Sequence, residues 1–134
     1  MAHVSVTRLR LRSNWYLPLF FWHSLRSQSQ AEASDGCFAT AVRYHKRAFW
    51  TLTVWRDHEA TRAYMVSRAH LAAMPKLKIW CDEASLAHWA QDTTTRPPWS
   101  EAETHLRTEG RTSKLLHPSP AHVSGLTLGS HDIT

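Results

Sequence analysis

At 134 residues, with 43% apolar and 20% charged side chains, the chain has the size and composition of one folded domain, which excludes a coiled coil, a disordered chain and a two-domain protein. A formal net charge of +5 invites a nucleic-acid partner, yet the basic residues are scattered, and no helix-turn-helix, zinc-finger spacing or aromatic-basic RNA-recognition signature goes with them. Seven tryptophans are the compositional oddity: they build an aromatic core or line a cavity for a flat apolar guest.

The cysteines, Cys37 and Cys81, form no CxxC pair and read as reduced core residues. Arginines before "WYLPLFFW" imitate a signal peptide, but Pro18 interrupts the apolar run and Arg26 lies between it and "AEA". No apolar run reaches the ~18 residues of a membrane span. The expectation is a soluble, cytoplasmic protein.

In chain order, residues 3–12 alternate as a strand, with an apolar face that switches near Thr7 unless a bulge restores it. Arg8, Arg10 and Arg12 read as the solvated face of an edge strand. Ser13 or Asn14 caps a helix that takes Pro18 in its first turn, sets Leu17, Phe21 and Leu25 four apart and ends near Ala33. "CFATAVRYH" and "AFWTLTVW" form a hairpin about the basic turn from His45 to Arg47. In its second strand Trp50, Leu52 and Val54 share one face, and Phe49, Thr51, Thr53 and Trp55 the other.

Asp57 caps the next helix, on which Ala60, Ala63, Tyr64 and Ser67 lie along one face, and Ser67 reads as a second cap. Pro75 breaks or bends the helix near Met74, because it lacks an N–H and its ring crowds the preceding turn. "KLKIWC" then makes a short amphipathic turn, and residues 84–91 are the fourth strand. Beyond Asp92, Pro98 opens a polar helix that Gly110 closes, and an aperiodic tail follows, docked or mobile.

The order is βαββαβ with an extra C-terminal helix: an α+β, ferredoxin-like domain over residues 1–95, and a helix and tail over 96–134. Two helices cover one sheet face. The other, being apolar, needs a second copy of the chain, so a homodimer with facing sheets is expected.

Ten histidines bring metal ligation into question, but there is no HExxH and no local two-His-one-carboxylate spacing, so no metal site is expected. His105, His117, His122 and His131 read as surface residues. His70, four before Met74 on the short helix, and His88, which alternates with Leu86, read as inward-facing. Such an imidazole moves a proton near neutral pH, or is a core histidine bonded to a backbone carbonyl. No GxSxG elbow, phosphate loop or kinase signature is present.

The stretches "AFWTLTVW", "AH" followed by "AM", and "CDEASLAHW" carry a likeness over about residues 4–91. The sequence resembles the dimeric α+β-barrel superfamily of antibiotic-biosynthesis and haem-degrading monooxygenases, and more closely spheroidene-monooxygenase-like proteins and a related bacterial family. The resemblance implies a cleft between sheet and helices and a barrel closed by dimerisation. In cofactor-free members the deprotonated substrate itself reduces dioxygen; others bind haem.

Carried onto this chain, the resemblance makes Trp22, Trp50 and Tyr64 aromatic walls and His70 the catalytic polar group, with Met74 and His88 also lining the substrate site. Met74 stands where the haem-degrading members have their iron-ligating histidine, so the usual axial ligand is missing and His70, one turn earlier, could substitute only in a reshaped cleft; cofactor-free and haem-dependent chemistry both stay open. The function implied is a small monooxygenase-like oxidoreductase for an apolar aromatic or polyene compound. The alternative is a non-catalytic dimer that binds a small apolar ligand or only assembles.

Overall fold

The computed structural model describes the chain from Met1 to Asp132 except Ser67; the side chains of Arg68, Ala69, His70, Ala73, His131 and Asp132 lie outside that description. In chain order come β1 (Ala2–Leu11), helix α1 (Leu17–Ala33), the hairpin strands β2 (Cys37–His45) and β3 (Ala48–Trp55), helices α2 (His58–Met65) and α3 (Arg68–Trp80), and β4 (Cys81–Gln91). Helix α4 (Trp99–Glu109), a short β5 (Arg111–Thr112) and a one-turn α5 (Pro120–Val123) follow. The sheet is antiparallel with order β2-β3-β1-β4-β5, the ferredoxin-like arrangement extended at the β4 edge.

β1 is therefore central rather than an edge, and its arginines are not a solvated face. Strict alternation holds past Thr7 without a bulge there, and the register shifts only between Arg10 and Leu11. Val4, Val6 and Arg8 share one face, and Arg8 is 2% exposed because Glu83 of β4 lies 3.0 Å from its Nη1. Arg10 meets the same carboxylate at 3.1 Å and Asp82 at 2.9 Å. Counter-charges on the neighbouring strand are what permit cations at the sheet centre.

On this face Val4, Val6, Trp50, Leu52, Val54, Ala87 and Trp89 form the main core. It is closed by Ala102 and Leu106 of α4 and by Leu128 of the tail. The Arg43 guanidinium lies 4.6 Å from the ring centres of both Trp50 and Trp99, and Glu103 of α4 accepts its hydrogen bond at 2.6 Å. The face expected to need a second copy is thus covered from within the chain, and the reason given for a homodimer with facing sheets falls away.

The tail docks through polar groups. Ser119 and Ser130 donate hydroxyl hydrogen bonds to Glu83 at 2.8 and 2.9 Å, and Ser85 donates to the Thr127 carbonyl. Gly129, at φ +64°, passes so close that a Cβ there would lie 1.8 Å from the Glu83 Oε1, so no other residue fits. His122, expected on the surface, is buried with Nε2 3.2 Å from the Ala84 carbonyl, and the His105 ring stacks on Trp89 at 3.9 Å.

Helices α1 to α3 cover the other face. Ser13 caps a 3-10 turn, Asn14–Tyr16, and α1 begins only at Leu17. Its buried stripe is Phe20, His23 and Ala31, leaving Phe21 and Leu25 exposed. Asp57 caps α2 by accepting from the Ala60 N–H at 2.9 Å. Pro75 does not break α3: the carbonyl it leaves without a partner belongs to Leu71, an exposed residue that water can serve, so the helix runs on to Trp80 and absorbs the expected separate turn.

Candidate functional site

The helix-covered face follows from the parity of β1. Where Val4 and Val6 face α4, the intervening His3, Ser5 and Thr7 face the helices, in rows fixed by the register. Thr51, Thr7 and Leu86 lie side by side, then Thr53, Ser5 and His88, then Trp55, His3 and Ala90. Most of this floor is half-buried and polar, unlike the largely apolar and fully buried face behind it.

At one end three imidazoles from separate elements converge. The His3 ring lies 5.4 Å from that of His88, stacked at 23°, and 5.2 Å from that of His58, edge-on at 83°. His58 is placed there because the Asp57 cap starts α2 at that point. His3 Nε2 and His88 Nδ1 are buried and make no hydrogen bond among the described residues. Burial, then the neighbouring His58, holds the His3 pKa below its ordinary value of 6.5. Burial, then His3, Arg111 and His58, does the same for His88. Both rings are neutral at neutral pH, each can accept a proton, and a proton on one disfavours a proton on the other.

Beside them Trp55 is fully buried, and the Tyr64 ring packs against it at 5.1 Å, its hydroxyl donating to the Ser27 carbonyl at 3.0 Å. Burial raises the Tyr64 phenol, with Cys37 adding to the effect, so it stays protonated and donates. Burial also pushes the Cys81 thiol up to about 12 and raises that of Cys37; neither is a ready nucleophile, and both cysteines are free.

The expected site residues are not all brought together. Tyr64 and His88 belong to the helix-covered side. Trp50 is buried on the opposite face, against α4. Trp22 is 53% exposed on the outside of α1, where an open groove of about 710 Å³ is lined by that helix and its C-cap Ser34. Met74 is 42% exposed on α3. His70 lies on α3, and its side chain is outside the described residues. His3 and His58 were missed; parity along a central strand was the signal that would have placed His3 beside His88.

Among the described residues no group of three His, Cys, Asp or Glu side chains is arranged to hold a metal ion. Near-parallel stacking keeps the His3 and His88 lone pairs from meeting at one point. Met74, at the position of the usual haem-ligating histidine, is exposed, and the side chain of His70, the residue that could substitute for it, lies outside the described residues.

Solved structures share the fold. A conserved protein from Methanosarcina mazei Go1 superposes with a TM-score of 0.62 at 14% identity, over 69% of this chain and 94% of the other. SnoaB, a cofactor-independent oxygenase from Streptomyces nogalater, gives 0.57 at 14% identity, over 69% and 94%. A protein from Nitrosomonas europaea, named as a candidate antibiotic biosynthesis monooxygenase, gives 0.60 at 10% identity, over 70% and 93%. The chain thus has the α+β fold of the antibiotic-biosynthesis monooxygenase type, with a further third that these chains lack. No curated protein sequence matches it. One family model matches residues 9–117, most of the chain, and on that match the protein belongs to the family described as a domain of unknown function, DUF3291.

Proposed function

We propose that the protein is a small monooxygenase-like oxidoreductase that takes an apolar aromatic compound, or a polyene, between α2 and α3 and the polar face of the sheet. The observation that carries this reading is the pair of buried, unbonded ring nitrogens, His3 Nε2 and His88 Nδ1, on neutral imidazoles beside the Trp55–Tyr64 wall. A neutral imidazole takes an acidic proton from the substrate, and the resulting carbanion gives an electron to dioxygen. Recombination forms a C–O bond, and loss of water returns the proton. For an anthrone the balance is anthrone plus dioxygen giving anthraquinone plus water, with four electrons passing from the carbon to oxygen and no external reductant. Thr53 and Ser5, registered beside His88, supply hydroxyls that orient the oxyanion. The fold shared with a cofactor-independent oxygenase supports the reading.

The test is oxygen uptake with anthrone as probe, with product mass read under labelled dioxygen. Wild type is expected to exceed the buffer rate and to place one labelled oxygen in the quinone. His88→Ala should lose about 100-fold in kcat, and His70→Ala tests the role given to that residue. An oxygen-uptake rate no faster than buffer, or His3→Ala and His88→Ala variants as fast as wild type, overturns the assignment.

A further inference from the structure

The outside of the helical layer is unusually greasy. Trp15, Leu19, Trp22 and Leu25 are exposed in and just before α1, and Leu71 and Met74 on α3, which packs beside it; Trp15 is 86% exposed. Single exposed apolar residues are ordinary, but a set this large on adjoining helices marks a contact surface. These residues cannot turn inward, because Phe20, His23 and Ala31 already fill the inner stripe of α1.

The charge on this surface is mainly positive. From Arg12 to the end of α1 the sequence carries Arg12 and Arg26 against one acidic residue, Glu32, whose carboxylate accepts a hydrogen bond from Thr40, and α3 carries Lys76 and Lys78 among its described side chains and no acidic residue. The Arg26 guanidinium lies 4.8 Å from the Trp22 ring centre, so cation and indole are presented together. Tryptophan and leucine beside arginine and lysine is the composition of a helix lying in a lipid headgroup region, its apolar side chains among the acyl chains and its cations at the phosphates. A second copy of the chain would instead bring the same cations face to face across a two-fold axis.

We propose that the outer face of α1 and α3 docks onto the surface of an anionic lipid bilayer. The contact is peripheral, since among the described residues no helix is long and apolar enough to cross a membrane. It stands whether or not the cleft turns a substrate over; if it does, an apolar substrate is met where it dissolves.

The experiment is co-sedimentation of the full chain with vesicles of phosphatidylcholine alone and with about 30% phosphatidylglycerol. Partitioning onto the anionic vesicles is expected to be at least about tenfold stronger and to collapse in ~0.5 M salt. Lys78→Gln should weaken it about fivefold and Arg26→Gln/Lys78→Gln about 25-fold. Trp22→Glu should abolish it; all three positions are exposed, and circular dichroism checks that the fold is kept. Equal partitioning onto both vesicles, or no partitioning, overturns the proposal. So does a dimer in sedimentation velocity that Trp22→Glu splits while vesicles bind nothing, which assigns the face to a second copy.

Discussion

Glu83→Gln tests the buried ion cluster that ties the tail to the sheet. The carboxylate is 1% exposed and receives Arg8, Arg10, Ser119 and the hydroxyl and N–H of Ser130, between 2.8 and 3.3 Å. An amide fills the same space but offers one acceptor oxygen where there were two. Whichever way it sits, its NH2 confronts a donor, and neither guanidinium keeps this partner's charge. Removing one partner of a buried pair costs about 3–5 kcal/mol, a large fraction of the ~5–15 kcal/mol that holds a domain together. Urea unfolding at neutral pH should show the unfolding free energy falling by that amount, seen as a lower midpoint with an unchanged slope. Burial by itself would raise the Glu83 pKa, but the hydrogen bonds from Ser119 and Ser130, the charge of Arg10 and the hydrogen bond from Arg8 outweigh it and hold the carboxyl below its ordinary 4.5. Its contribution is therefore fully present above pH 4.5 and is lost as pH falls through the lower folded-state value. The gap between variant and wild type should close in acid. A loss under about 1 kcal/mol at neutral pH, or a gap that ignores acid, would refute the account.

Leu106→Ala removes a fully buried side chain where α4 meets the sheet, and should cost about 3 kcal/mol by urea unfolding; a loss within experimental error would mean that α4 is not needed to close the core. The lowered His3, His23 and His88 pKa values work in acid: above pH 6.5 the rings are neutral folded or unfolded, and below it the unfolded chain gains protons first. Stability should thus fall as pH drops below 6.5, less steeply in His88→Gln, as chemical denaturation across a pH series would report.

Much of the fold was legible because its signals are local. The Asp57 cap, the hairpin about His45 to Arg47 and the α4 stop at Gly110 each rest on a few adjacent residues. What failed needed partners distant in sequence. Arg8 alternates with apolar residues as a solvated arginine would, and only Glu83, placed beside it by the sheet, distinguishes burial from exposure. The tail lacks periodicity because polar hydrogen bonds hold it, so no hydrophobic pattern announced that it docks. In the candidate site His88 was legible from alternation on its strand, whereas Trp50 shares its strand with Trp55 and parity alone does not say which face the helices cover.

The same cluster imposes an order on biosynthesis. Arg10 emerges from the ribosome 72 residues before Asp82, an interval of about 4–15 seconds at ordinary elongation rates. Until then β1 has no strand on its β4 side and its guanidiniums have no counter-ions, so the nascent chain can build the β2–β3 hairpin but cannot settle its central strand.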